Sequence, residues 1–518
     1  MRRLATAIAG IVAAAAALGT AGPSAASSGR TLVELKPSAS CTAAVALVRA
    51  GGTLIVPELH LYRISGAGAG RVLPGLRRTG ALRLVQPDRP AGTLARLDFD
   101  DPLVPTEWWR AAVRIDTLTP PPAGKPVTIV DSGIDVTHPE YLGRANTVTL
   151  NAQEPAGIGG EHGTAVGSVV GAPVNGLGTV GIYPEALLRS WDAAKGEGTR
   201  LDTSEIAQGI LAAANDGPGV INLSLGSNER ELVIEQAVYQ AVRKGSLVVA
   251  ASGNDGDAGN PLGYPASIPH VLTVGATGRD DRVTSFSSRS RFVDLAAPGE
   301  SIAIATARGK GYQSGDGTSF AAPIVSGAAA WVWTVRPELD STSLFELIRR
   351  SARDVEAPGR DDSTGFGILD VATALTYPSP VPDPLEPNDD LDFIQLDGVY
   401  YTGIPPLTTA RRPATTVLAR LDVVEDPRDV YRVWVPKGKT LRAVATADTD
   451  VDIALWRQGT VSVKESIVGS DRLARAVTHG PKEALSYRNP GPGRVAYVAV
   501  TLPQGVSGAT YRMRVTAG

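Results

Sequence analysis

Between residues 100 and 377, short apolar runs alternate with stretches of helical period. The runs VTIV (127–130), LLRSW (187–191), VINLSL (220–225), SLVVAA (246–251) and HVLTVGA (270–276) have the length and continuous hydrophobicity of strands buried on both faces. Ser204 to Asp216 and ELVIEQAVYQAVRK (231–244), which stops at Gly245, repeat apolar positions at helical spacing. Strand, helix and strand in succession predict an α/β domain with a parallel sheet covered by helices on both faces. Gly317 to Val335 is uncharged, but its Pro323 and many small residues suit a core helix better than a lipid-facing one.

The chain changes texture at both ends of this region. Before it, residues 30–90 read βαββαβ: TLVEL (31–35), a helix from Ser40 to Ala50, alternating runs in 53–65, a Gly-rich turn, a short helix near 71–78 and ALRLV (81–85). Such a module is small for independent stability. After it, YPSPVPDPLEP (377–387) predicts a stiff extended linker. Short alternating runs follow, among them TLRAVATA (440–447) and TYRMRVTA (510–517), as in a β-sandwich. Met1-Arg2-Arg3, an Ala-rich apolar stretch, and Ser24 and Ala26 before Ser27 form a secretory signal. The expected division is therefore a signal at 1–26, a module at 27–100, an α/β domain at 101–377, a linker at 378–387 and a sandwich at 388–518.

Charge narrows the function. Fifty basic and fifty-three acidic residues give a net charge of -3 without a basic footprint, so no nucleic-acid partner is expected. The single cysteine, Cys41, excludes an intramolecular disulfide and a cysteine-based zinc cluster. No stable membrane span is expected once the signal is cut.

Ligands of open parallel sheets bind beyond the carboxyl ends of the strands. Asp131 follows VTIV directly in DSGID, His162 opens HGTAVGSVVG, and Ser319 sits in GDGTSFAAP at the start of the uncharged helix. A serine hydroxyl needs a base within reach, and the base needs an anion to orient it. The chain has five histidines. His60 and His479 lie in the terminal modules, and His138 and His270 adjoin prolines in loops, which leaves His162 as the candidate base.

These motifs resemble those of the subtilisin-type serine proteases, the subtilases, in which the order is Asp, His, Ser. The resemblance implies that Asp131 orients, His162 acts as general base and acid, Ser319 attacks, and Asn254 in AASGNDG donates to the oxyanion together with the Ser319 N–H. It implies that Gly196-Glu197-Gly198 and Ser224-Leu225-Gly226 hold a peptide as an added strand, with Gly263 at the floor of a pocket for a large apolar residue before the cut. Asp255 and Asp257 near that rim raise an alternative preference for a basic residue. Two positions depart from the family pattern. Ala165 stands where a second His is common, and Phe320 stands where Met is common after the nucleophile, which removes a site of sulfoxide formation.

By the same resemblance, PVNGLGT (173–179) is a structural calcium loop, with Asn175 and the carbonyls of Pro173, Leu177 and Thr179 as ligands and Glu140 where an Asp is frequent. The leading module, with LVQPD (84–88), resembles a subtilase propeptide, an inhibitor and folding aid of the ferredoxin-like α+β kind, cut between about Pro87 and Leu103. The tail from EPNDD (386–390) resembles a pre-peptidase C-terminal domain. The expectation is a secreted, monomeric serine endopeptidase made as a zymogen, acting on proteins and peptides and inhibited by its own propeptide. The alternatives are a surface-binding protein with a vestigial protease domain and a processing protease cutting after basic residues.

Overall fold

A computed structural model describes residues 30–87, 100–152, 160–194, 200–308, 311–464 and 471–518. The signal segment and the linker after residue 87 therefore fall outside the described residues, as do Gly196, Glu197 and Gly198. The chain forms two compact units, Met1–Thr93 and Leu94–Gly518.

The first unit is built as β1 (Arg30–Leu35), α1 (Cys41–Arg49), β2 (Thr53–Val56), β3 (Leu61–Ser65), α2 (Gly66–Arg78) and β4 (Leu82–Pro87). Its sheet order is β2-β3-β1-β4, and Val33, Leu47, Tyr62, Ile64 and Leu76 form its small core. The expected Gly-rich turn is instead the first turn of α2. The Ser65 hydroxyl accepts from Gly68 N at 3.2 Å and caps the helix, which offsets the cost of its glycines.

The second unit holds a seven-stranded parallel sheet in the order β11-β10-β9-β8-β5-β7-β6. Its strands are β5 (Pro126–Asp131), β6 (Thr147–Thr149), β7 (Leu187–Asp192), β8 (Val220–Leu223), β9 (Leu247–Ala251), β10 (Val271–Thr277) and β11 (Leu295–Pro298). The alternation of side chains sorts each strand between two cores. Val127, Ile129, Val249 and Val274 face α3 (Gly160–Gly171) and α6 (Thr318–Val335). Val130, Ile221, Val248 and Ala250 face α4 (Thr203–Asn215) and α5 (Leu232–Arg243). Helix α6 is apolar all round because it lies in the core with strands and helices about it, and most of its residues are buried. A hairpin of β12 (Ile302–Thr306) and β13 (Gly311–Gly315) precedes it, and α7 (Ser341–Arg350) follows.

The same unit ends in two four-stranded antiparallel sheets, β14-β21-β16-β19 and β15-β20-β17-β18. These strands are β14 (Ala414–Asp422), β15 (Arg428–Val435), β16 (Thr440–Ala447), β17 (Asp452–Arg457), β18 (Arg472–Ala476), β19 (Lys482–Arg488), β20 (Arg494–Thr501) and β21 (Gly508–Ala517). Their inward residues, such as Leu441, Val498, Met513 and Val515, share one core.

The sandwich is anchored to the α/β domain. Tyr239 of α5 meets Phe393 and Tyr400 edge to face at 4.9 and 5.0 Å between ring centroids. Arg349 of α7 is 1% exposed on its side chain and pairs with Asp294 at 3.1 Å, with Glu346, and with Asp422 of β14 at 2.8 Å. Breaking a buried ion network leaves the remaining charges without solvent or partner. Arg349→Met is therefore expected to destabilise the second unit by about 3–5 kcal/mol. The measurement is the denaturant midpoint, and an unchanged midpoint would contradict this account.

Candidate active site

The sheet reverses its winding beside β5: successive strands lie on one side through β7 and on the other from β8. A crevice opens at such a switch point. Asp131 is the last residue of β5, Ser224 follows β8 directly, and Asn254 lies three residues beyond β9.

Asp131 is 1% exposed, and its carboxylate accepts from Ser132 N at 2.7 Å. The His162 Nδ1 lies 2.8 and 3.0 Å from its two oxygens. His162 is on the first turn of α3, held close to β5 by Gly163, whose N–H donates to Ser132 Oγ at 3.0 Å. A Cβ at position 163 would stand 2.2 Å from the Gly133 carbonyl oxygen, so only glycine permits this approach. The charge of Asp131 raises the His162 pKa above the ordinary imidazole value, against the opposing effect of burial. The carboxylate thereby favours the Nδ1–H tautomer and leaves Nε2 as the basic atom.

Ser319 is the second residue of α6, in the turn where backbone N–H groups have no intrahelical partner. Its carbonyl accepts from Ser224 Oγ at 2.8 Å, and its hydroxyl donates to Ser224 O at 3.4 Å. The hydroxyl is thus bonded to Ser224 rather than to His162 in this rotamer. Catalytic hydrogen bonds are often unformed before substrate binds. Gly317, at φ 148°, turns the chain into the helix. Asn254 Oδ1 accepts from both Thr318 N and Thr318 Oγ1 at 2.9 Å, which fixes the amide orientation and leaves Nδ2 as the donor next to Gly317. The ring of Phe320 lies 6.2 Å from that of His162. Sequence reasoning missed Thr318 and the hydroxyl of Ser224, since short polar residues beside a motif carry no distinguishing pattern.

Ser224, Leu225 and Gly226 run along a cleft of about 490 Å³ that also reaches Asp131, His162 and Tyr264. Just beyond them, Ser227 and Tyr264 exchange backbone hydrogen bonds at 3.0 and 2.8 Å. Gly263 lies so close to the Ser252 carbonyl oxygen that a Cβ would come within 3.1 Å of it. Asp255 is half-buried and Asp257 exposed.

The other described histidines of the second unit do not enter the crevice. His138 is buried, with Nε2 3.2 Å from the Gly311 carbonyl oxygen. His270 lies at the junction with the sandwich, 3.0 Å from Asp389, and His479 is on the surface 3.5 Å from Asp450.

Asn175 and Glu140 come together away from the crevice. Glu140 accepts from Asn175 Nδ2 and from Thr179 N, each at 3.2 Å, and burial pushes its pKa up to about 7. Asp101 Oδ1 accepts from Asn175 N at 3.0 Å and Leu177 N at 3.2 Å, while its buried Oδ2 has no partner. Oxygen donors and an orphaned carboxylate oxygen fit a hard cation. Asp101 was not legible beforehand, because it precedes its partners by more than seventy residues.

A serine at a helix start, a histidine oriented by a buried carboxylate and an amide donor opposite are the elements of nucleophilic acyl transfer. Part of the chain resembles known proteins. Residues 123–367 match the subtilase family model. The chain is 35% identical over 252 residues to subtilisin BL of Lederbergia lenta, covering 49% of this chain and 91% of that protein. It is 36% identical over 254 residues to subtilisin Savinase of Lederbergia lenta, with the same two shares covered. Among solved structures it is similar to sphericase, at 29% identity and a TM-score of 0.43, covering 51% of this chain and 96% of that one. The chain belongs to the subtilase family and carries its serine-peptidase catalytic domain.

Proposed function

We propose that the chain is a secreted endopeptidase, made as a zymogen, that cleaves peptide bonds through an acyl-enzyme on Ser319. The observation that carries this reading is the buried Asp131 carboxylate on His162, facing a helix start at which Asn254 is tied to Thr318. Rotation of Ser319 about χ1 releases its bond to Ser224 and turns Oγ toward Nε2. Nε2 takes the hydroxyl proton as Oγ attacks the scissile carbonyl, and Asp131 stabilises the imidazolium that forms. Asn254 Nδ2 and the Ser319 N–H hold the oxyanion. Collapse of the tetrahedral intermediate breaks the C–N bond, with His162 returning the proton to the leaving amine. Water then repeats the sequence on the ester and frees the acid.

The substrate lies beside Ser224, Leu225 and Gly226, held by main-chain hydrogen bonds, and the family resemblance assigns Gly196, Glu197 and Gly198, which fall outside the described residues, to the same task. The cleft next to Leu225 is lined by Ile206, Ile234 and Ile268, which favour apolar partners, and also by Glu229 and Glu231, whose carboxylates suit the alternative basic preference. Gly263 leaves room for a large apolar residue before the cut. The first unit acts as inhibitor and folding aid until cut after Pro87. Its core holds nine buried residues among those described, which is consistent with a module that relies on a partner for stability. Export as a monomer completes this reading.

A fluorophosphonate probe is expected to label Ser319, and Ser319→Ala to abolish both labelling and release of the first unit. Lack of labelling would favour a surface-binding protein with a vestigial site. A library of peptides varied before the cut separates an apolar from a basic preference.

Asn254→Ala is expected to lower kcat on the order of 100 to 1000-fold with little change in KM, a magnitude taken from a subtilisin rather than from this geometry. Unchanged turnover would remove Asn254 from the oxyanion site. The pH dependence follows from Asp131. A general base works only when neutral, so raising the His162 pKa puts the acid limb of kcat/KM above about 6.5, with activity lost as pH falls through it. Asp131→Asn is expected to move that limb downward and to cost on the order of 10⁴ in kcat, as in other triads. A limb that stays in place would detach Asp131 from His162.

Calcium at the loop is part of the proposal, with Asn175, Glu140 and Asp101 as side-chain ligands. Chelation is expected to lower the melting temperature, and Glu140→Gln to shrink that change. Equal shifts in both proteins would argue against the loop as the site.

A further inference from the structure

The outer face of one sandwich sheet carries its positive charge along a single line. In the sheet β14-β21-β16-β19, residues that fill the core alternate with a second set turned to solvent. That set includes Arg512 and Arg514 on β21, Arg442 on β16, and Lys482 and Arg488 on β19, all of them exposed. The register fixes their relative places. Arg512 lies opposite Thr446, Arg514 opposite Val444, Arg442 opposite Thr516 and Ser486, and Arg488 opposite Thr440. Each step from Arg512 to Arg514, Arg442 and Arg488 therefore advances by two residues, and the last two steps also cross to the next strand. With the usual rise and spacing of strands, the four arginines form a slanting line about 22 Å long, with about 7–8 Å between neighbours. Lys482 stands in the row of Arg512, with Thr446 between them.

No acid answers this line. Among the described residues none of these five cations has an ion-pair partner. The outward residues of the four strands include one carboxylate, Asp422 at the far end of β14, and it is engaged by Arg349 and Arg350. Asp448, just past the end of β16, accepts from Thr510 N at 2.8 Å. Like charges gathered on one sheet face repel, and soluble surfaces ordinarily intersperse the two signs. The net charge of -3 for the whole chain conceals this local segregation.

The surroundings of the arginines narrow the partner. Thr416, Thr440, Thr446, Thr516 and Ser486 place hydroxyls between the guanidinium groups. The outward positions of the four strands hold no aromatic ring on which a nucleic-acid base could stack. A sheet of four strands is too broad for a duplex groove, which admits a helix or a two-stranded ribbon. Leu418 and Val444 are the only large apolar side chains on this face, too few to enter a lipid surface.

We propose that this face binds a linear acidic polysaccharide with carboxylates on its sugar rings, and so holds the peptidase domain on an anionic matrix. The planar guanidinium fork matches a carboxylate with two parallel N–H donors. The hydroxyls between the arginines meet those of the sugars. A line one arginine wide suits a single extended chain rather than a bulky surface. Binding removes the repulsion along the line and releases counterions, so affinity falls as salt rises. The interaction is independent of the chemistry at Ser319.

The test uses the full chain carrying Ser319→Ala, so that it does not digest itself, with sodium alginate as the acidic polysaccharide and dextran as the neutral one. Retention by alginate at low salt, release as salt rises and no retention by dextran are expected. Arg442→Gln, Arg512→Gln and Arg514→Gln together are expected to weaken binding on the order of ten- to a hundredfold, as for the loss of three exposed ion pairs. Removal of the same charge elsewhere, by Arg200→Gln, Arg282→Gln and Arg475→Gln, is expected to leave binding unchanged. Equal loss in the two triple variants would reduce the interaction to net charge and overturn the proposal. So would undiminished binding in the first, or tighter binding to duplex DNA or to phosphatidylglycerol vesicles than to alginate at the same salt. If the first triple variant does not fold, Arg514→Gln alone is measured across a salt series, where a shallower dependence is expected and an unchanged one would contradict the site.

Discussion

Everything at the crevice depends on keeping one carboxylate out of water while giving it two partners. Asp131 ends a strand covered on both faces, so its side chain is pointed into protein rather than solvent. The Ser132 N–H and the His162 imidazole are the two partners of its carboxylate. That anion is useful only if helix α3 comes within contact distance of the loop after β5. The absence of a side chain at position 163 is what allows the approach. A single methyl group there would separate His162 from Asp131, although neither of those side chains had been altered.

The second constraint comes from α6. A helix apolar on every face has nowhere to lie except inside the domain, and its depth fixes where its first turn emerges. Gly317 makes the turn, Thr318 grips Asn254, and Ser319 is presented between them. The Asn254 amide is therefore positioned from the same turn that carries Ser319, so their relative placement does not rely on loop rigidity elsewhere. The core pays for itself as architecture, and the site inherits its precision.

Much of this was legible in the residues. Continuous apolar runs marked β5, β7, β8, β9 and β10, and the acid that ends β5 marked the crevice. What escaped had physical reasons. Helix α2 begins in a glycine-rich stretch whose composition favours a turn, and tertiary packing with a serine cap decides otherwise. Strands β11 to β13 are short and carry Gly, Pro or polar residues, so they lack the pattern of the longer strands. Proline content suggested an extended spacer between domains. It gave no sign that Asp383 and Glu386 within that spacer are covered by residues some forty positions later. The anchoring of Arg349 to Asp422 is likewise a pairing across 73 positions that no local pattern encodes.

The reciprocal bonds between Ser224 and Ser319 have one more effect. They clamp the wall that follows β8 to the start of α6, so under the proposed reaction whatever chain lies along that wall is measured off against the Ser319 oxygen by a ruler made of backbone. A groove of this kind can be indifferent to which side chains pass through it and still be strict about which bond stops at the blade.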